Sequence, residues 1–290
     1  MEHILNLIKG IFMGVANIIP GVSGGTMAVS LGVYDSMIHA ISHLFLEFKK
    51  SLTTLIPILL GMGIGIVGFT YVIEYLLKNH TLPTCLTFIG LIIGGLPILL
   101  QKFNDCKGTK PFSIINIVLF LAFFGLVIGL SIFNSTESGL MTFEINLFTL
   151  IKLFLVGIIA AATMVIPGVS GSLVLMILGY YYGILNLVRN FFDSLKSFNL
   201  DLIIKQSILL IPFGLGVVIG IFVISKIIEY LFNEHSVSTY CAILGLIIAS
   251  PIAIFMNTNA LANFPIIGLI VGIALGIVGA YTTYKLGTLE

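Results

Sequence analysis

Residues 19–24 read Ile-Pro-Gly-Val-Ser-Gly, and residues 166–171 repeat the same string. Both copies lie inside apolar stretches, and their residue types suggest anion binding. Pro20 lacks an N–H and clashes with the preceding helical turn. Gly21, Gly24 and Gly25 allow backbone conformations that other residues resist. A helix restarting near Gly24 presents N–H groups without intrahelical partners at the positive end of its dipole. Ser23 and Thr26 add hydroxyls. Such an assembly suits a phosphate or carboxylate and does not suit a bare metal cation. The second copy repeats it with Pro167, Gly168, Ser170, Gly171 and Ser172. A tight turn that only permits helix packing is the competing account of one copy. Duplication weighs against it, because paired broken helices mark transporter binding sites.

The copies are unequal. Met164 stands where the first copy has Asn17, Ser172 where it has Gly25, and Leu173 where it has Thr26. The first copy is therefore the more polar. Asn17 either offers its amide to the ligand or caps backbone groups freed by Pro20.

Charged residues beside apolar segments are the next candidates. Glu74 and Glu229 occupy matching positions in a shared Ile-Glu-Tyr-Leu string. They read either as carriers for ion coupling, to H+ or Na+, or as interfacial residues near helix ends. Arg189, the only arginine, suits phosphate by its guanidinium or anchors a helix end at the headgroups. Asp35, His39 and His43 recur every four residues, on one helical face. They line a vestibule or meet the headgroups.

Catalysis has weak support. Ser23 and Ser170 sit in Gly-Val-Ser-Gly contexts, but a serine nucleophile needs a base within reach. The five histidines fall in connectors or toward one face, and no His-Glu-x-x-His string or phosphate-binding nucleotide loop occurs. Cys85, Cys106 and Cys241 make no metal-like cluster. No metal or cofactor is expected.

The elements holding these residues belong in a membrane. Of 290 residues, 58% are hydrophobic and 9% charged. Soluble domains carry roughly 25% charged residues. The net charge of +1 gives no electrostatic case for nucleic acid. The 31 glycines suit helices packed closely in lipid. Met1 to Ile19 lacks a basic n-region and a cleavage site, so it reads as part of the mature protein. Helices are expected, since lipid cannot satisfy open backbone groups.

Further matches extend the duplication: Gly10 with Gly157, Leu31-Gly32 with Leu178-Gly179, His80 with His235 and Gly90 with Gly245. Two repeats are expected, 1–146 and 147–290. Residues 4–45 are about twice the length needed for one crossing at 1.5 Å per residue, yet Pro20 and Gly21 break them. A re-entrant hairpin follows at 4–45, then helices at 53–77, 85–100 and 113–133. The second repeat has its hairpin at 147–192 and helices at 206–232, 240–256 and 264–284. Three crossings per repeat would make the repeats inverted. The rival is a broken helix that crosses fully, giving parallel repeats. Lys and Arg counts do not separate the two, because one topology exchanges the faces of the other.

The strings Asn-Ile-Ile-Pro-Gly-Val-Ser-Gly-Gly-Thr from 17 and Val-Ile-Pro-Gly-Val-Ser-Gly-Ser from 165 resemble the bacterial polyprenyl-phosphate transporter family. The resemblance spans the whole chain. It implies translocation of undecaprenyl phosphate, the lipid carrier of peptidoglycan and other envelope sugars, across the cytoplasmic membrane. It carries the family motif onto Asn17, Pro20, Gly21, Ser23, Gly24, Gly25, Thr26, Pro167, Gly168, Ser170 and Gly171. Expected partners are the polyprenyl phosphate and membrane lipids. Expected features are cytoplasmic termini and alternating access without nucleotide hydrolysis. A secondary transporter of a small soluble anion and an intramembrane lipid-phosphate enzyme are the alternatives.

Overall fold

The computed structural model describes residues 2–19, 22–108, 113–132, 143–258, 260–261 and 265–289. Pro20 and Gly21 lie outside the described residues. The described residues form helices and no strands: α1 Glu2–Ala16, α2 Gly24–Ser30, α3 Tyr34–Ser42, α4 Phe48–Asn79, α5 Thr81–Lys107 and α6 Ile114–Ile132. There follow α7 Leu147–Val165, α8 Gly171–Ile177, α9 Tyr181–Lys196, α10 Leu200–Glu234, α11 Ser236–Thr258 and α12 Ile266–Gly287.

Seven of these helices, α4 to α7 and α10 to α12, are long and apolar enough to cross a membrane. The chain is thus an all-α polytopic membrane protein. Helices α4 and α10 have 32 and 35 residues. That exceeds the roughly 20 needed to span, so they tilt or project beyond the hydrocarbon. Length separates the first arms of the two copies. Helix α1 has 15 residues and falls short of a span, whereas α7 has 19 and qualifies. The short-segment argument for a hairpin therefore applies to α1 and not to α7.

Two compact units emerge. One contains Met1–Ile132, Ile166–Val169 and Ser225–Glu290; the other contains Phe133–Val165 and Ser170–Ile224.

In the first unit, α1 packs along α4 through glycines. A Cβ on Gly10 or Gly14 would strike the backbone of Ile58 or Met62, and one on Gly61 or Gly65 that of Leu7 or Ile11. Small residues let helix backbones approach where lipid supplies no hydrophobic drive for association. Helix α5 packs on α12, with Gly90 against Gly276 and Gly94 against Ala280. Helix α11 packs on α6, with Gly245 against Phe120. Gly90 and Gly245 are matched positions of the duplication, so the pairing is reciprocal. Helices α5 and α11 have 61% of their apolar window buried, against 17% for α6 and 22% for α4 and α12. They form the centre of this unit, and the others turn apolar faces outward.

The second unit repeats the glycine contact of α1 and α4. Gly157 of α7 meets the Phe213 carbonyl of α10, and Gly216 meets that of Phe154. Around it, Leu153, Val156, Ile184, Leu187 and Leu209 form a buried apolar cluster.

Both copies terminate their short helix in the same way. Gly32, with φ +80°, donates to the Val29 carbonyl while Val33 donates to that of Ala28. Gly179, with φ +77°, donates to Met176 while Tyr180 donates to Leu175. This is a Schellman closure, and its left-handed position favours glycine. Beyond Gly179 the chain turns by 111° between α8 and α9.

Candidate functional site

Within the first unit the motif folds back on itself. Ser23 caps α2 in an extended conformation, and its Oγ accepts from the Thr26 N–H at 3.1 Å. Serine is a preferred N-cap because its oxygen satisfies such a free donor. The Oδ1 of Asn17 accepts from the Gly24 N–H at 2.7 Å. Asn17 thus satisfies a donor at the start of α2. A Cβ on Gly24 would lie 2.7 Å from the Asn17 amide nitrogen, so the capping side chain would have to shift. The helix start expected to face an anion therefore has its Gly24 and Thr26 donors bonded to the chain's own side chains.

The second copy reaches the same place. The N–H of Gly168 donates to Thr26 Oγ1 at 2.7 Å and to Ser23 Oγ at 3.1 Å, and those two hydroxyls lie 2.9 Å apart. Gly168 has φ +78° and lies against Leu246. Ser23, Thr26 and Pro167 are buried, and Gly25 is enclosed beside them. The two Pro-Gly-Val-Ser-Gly strings thus meet through a backbone donor of one and the hydroxyls of the other.

In the second unit, Ser170 caps α8 as Ser23 caps α2, but less tightly. Its Oγ accepts from Leu173 N–H at 3.5 Å and lies 2.9 Å from the Ser172 hydroxyl. Gly171 lies against Met164 and Thr163. Met164, in the place of Asn17, offers no oxygen to the helix start.

The charged candidates separate. Asp35 Oδ2 accepts from Lys102 Nζ at 2.8 Å and from the Tyr240 hydroxyl at 3.2 Å. These residues line a small cavity beside Val29 and Gly32, next to the end of α2. Neither Lys102 nor Tyr240 stood out in the sequence; a lysine near a helix end carries no local signal for a partner two helices away. His39 and His43 leave Asp35 and converge on Glu229. Their Nδ1 atoms lie 2.6 and 3.1 Å from Glu229 Oε1, and Ser42 Oγ donates to Oε2. Glu74, the matched carboxylate, is exposed. Arg189 is also exposed, 3.9 Å from Asp193 on the next turn. Glu47 follows His43 and pairs with Lys50 at 2.9 Å. The Lys50 ammonium, bonded to it, holds the Glu47 carboxyl below its ordinary value, with a smaller contribution from the two histidines. Lys9 of α1 is a fully buried basic side chain.

Among the described residues, seven apolar helices, the paired seven-residue helices α2 and α8, and the contact of Gly168 with Ser23 and Thr26 define a multi-pass α-helical membrane protein. The chain belongs to the undecaprenyl phosphate translocase-like family, whose profile matches residues 13–264 and again 188–285. It is 34% identical over 285 residues to a polyprenyl-phosphate transporter of Staphylococcus aureus, covering 94% of this chain and 95% of that protein. It is 28% identical over 264 residues to a polyprenyl-phosphate transporter of Vibrio cholerae, covering 86% and 77%. No solved structure matches the chain.

Proposed function

We propose that the chain carries undecaprenyl phosphate between the leaflets of the bacterial cytoplasmic membrane, recycling the lipid carrier of envelope synthesis. The observation that carries this reading is the hydrogen bonding of Gly168 to Ser23 and Thr26, which joins the two broken-helix motifs. The names of its relatives in two bacteria support the substrate class.

In this reading the phosphate is bound at the first motif. Its oxygens replace Asn17 Oδ1 and Ser23 Oγ as acceptors for the Gly24 and Thr26 N–H groups, adding Gly25 N–H and the Thr26 hydroxyl. Pro167 and Gly168 close the site from the second copy. Ser170, Gly171 and Ser172 are the counterpart positions, with a weaker role because their cap lacks the Asn17 and Thr26 equivalents. The isoprenoid tail stays in lipid while the headgroup follows the polar path.

The repeats, 1–146 and 147–290, are proposed to be inverted, with both termini cytoplasmic. Their alternating access exposes the motif to each leaflet in turn. The reciprocal pairing of α5 with α12 and α11 with α6 supports a two-fold relation between repeats. Transport proceeds without nucleotide hydrolysis. The Ser23 hydroxyl is bonded to Thr26 and Gly168, while His39 and His43 are engaged with Glu229, so a serine–histidine dyad has no support.

Vesicles of bacterial phospholipid containing the purified chain and labelled undecaprenyl phosphate test the reading. Intact lipid moving between leaflets without ATP is the expected result. Movement no faster than in protein-free vesicles, or release of inorganic phosphate, would overturn it.

A further inference from the structure

We propose that His39, His43 and Glu229 form a binding site for a divalent transition-metal ion of the zinc class, one per chain. The site lies outside the motif, and the inference does not rest on the transport reading.

The local structure brings the donors together. His43 follows the last residue of α3 one turn beyond His39, so both imidazoles leave the same face. Their rings lie 4.2 Å apart, tilted by 32°. Both Nδ1 atoms turn to one carboxylate oxygen of Glu229, on α10, at 2.6 and 3.1 Å. One donor atom from each residue lies within 4.8 Å of the others. Zinc holds imidazole and carboxylate ligands at about 2.0–2.2 Å, which puts tetrahedral ligand atoms roughly 3.3 Å apart. Small side-chain rotations bring three donors at the observed spacings to that arrangement.

The donor types agree with the metal class. Two neutral imidazoles and a carboxylate favour Zn2+ and its neighbours over Mg2+ or Ca2+, which take oxygen ligands. Three protein ligands leave a coordination position for water or another oxygen donor. The second carboxylate oxygen is already oriented, since Ser42 donates to it and also lies 3.1 Å from His43 Nδ1. Such outer contacts fix the direction of a ligand and raise affinity.

The duplication predicts the stoichiometry. In the register that aligns the two motifs, His39 and His43 correspond to Asn186 and Asn190. Carboxamides are poor ligands for zinc-class ions, and the matched Glu74 is exposed. A second site is therefore not expected.

Calorimetric titration of ZnCl2 into the detergent-solubilised full chain, with its tag removed and metal stripped, tests the proposal. One equivalent should bind, and CoCl2 should give the ligand-field bands of a low-coordinate nitrogen and oxygen site. His39→Asn copies the other repeat at a half-exposed position, so it should fold with an unchanged metal-free melting temperature. It should lose the binding and the melting-temperature rise that Zn2+ gives the parent chain. Glu229→Gln should behave alike, Ser42→Ala should weaken affinity about 10- to 100-fold, and His3→Ala, His80→Ala and His235→Ala should change nothing. Absence of binding in the parent chain, or equal binding in His39→Asn and Glu229→Gln, would overturn the site.

Discussion

The N–H of Gly168 donates to the hydroxyl of Thr26 at 2.7 Å, pinning the second copy of the motif to the first. The bond is buried on the Thr26 side, where no water replaces a lost partner. Thr26→Val keeps the side-chain shape and removes the acceptor. It should cost about 0.5–1.5 kcal/mol, the net worth of one hydrogen bond, because Ser23 Oγ still accepts from Gly168. Thr26→Ser should recover most of it. Thermal unfolding in micelles measures both, and equal stability of the two variants would show that the bond contributes nothing.

Gly168 has a second reason to be glycine. At φ +78° an L side chain is strained, and its Cβ would lie 3.0 Å from that of Leu246. Gly168→Ala should lose about 1–2 kcal/mol from the left-handed conformation alone, seen as a lower melting temperature and slower lipid movement. Adding Leu246→Gly removes the Leu246 Cβ from this contact but leaves the backbone strain. Full recovery in the double variant would place the whole effect in packing.

Asn17 separates capping from headgroup binding. Asn17→Asp retains the oxygen that accepts from Gly24 and puts a charge where a helix start favours one. The melting temperature should hold or rise. The same charge repels a phosphate, so transport in vesicles should fall by tenfold or more. Undiminished transport by Asn17→Asp would remove Gly24 and its neighbours from the headgroup site.

Asp35 and Lys102 form the clearest ion pair near α2, at 2.8 Å. Their side chains are 37% and 34% exposed, which limits the pair to about 0.2–1 kcal/mol. A double-mutant cycle with Asp35→Asn and Lys102→Met should return a coupling in that range that weakens in high salt. A coupling of several kcal/mol would mean that the pair is far drier than its exposure suggests.

Much of this was legible from residues alone. Identical strings at 19–24 and 166–171 revealed the duplication, and the match of Leu31-Gly32 with Leu178-Gly179 was visible, but not that both pairs end a short helix with one closure. The match of Gly90 with Gly245 was visible too, but not that each meets a helix of the other repeat. Periodicity reports which face is apolar and not which neighbour covers it. The same limit hid the fates of Glu74 and Glu229. Their sequence surroundings are nearly alike, and only the distant His39 and His43 make them different. For Asn17 the residue type leaves capping and ligand contact open, and its bond to the Gly24 N–H is visible only in the structure.

The crossed pairing of α5 with α12 and α11 with α6 constrains how the chain is made. Helix α5 emerges early from the ribosome, yet Gly90 and Gly94 wait for Gly276 and Ala280, which are synthesised last. Until then its close-approach face is covered only by lipid or by a chaperone. Residues 1–146 should therefore not fold independently of residues 147–290. A chain stopped before Ile266 should be inserted but unfinished, and pulse-chase labelling should find it degraded faster than the full chain. Supplying residues 147–290 as a separate polypeptide should rescue residues 1–146, because each half carries the helix that completes the other.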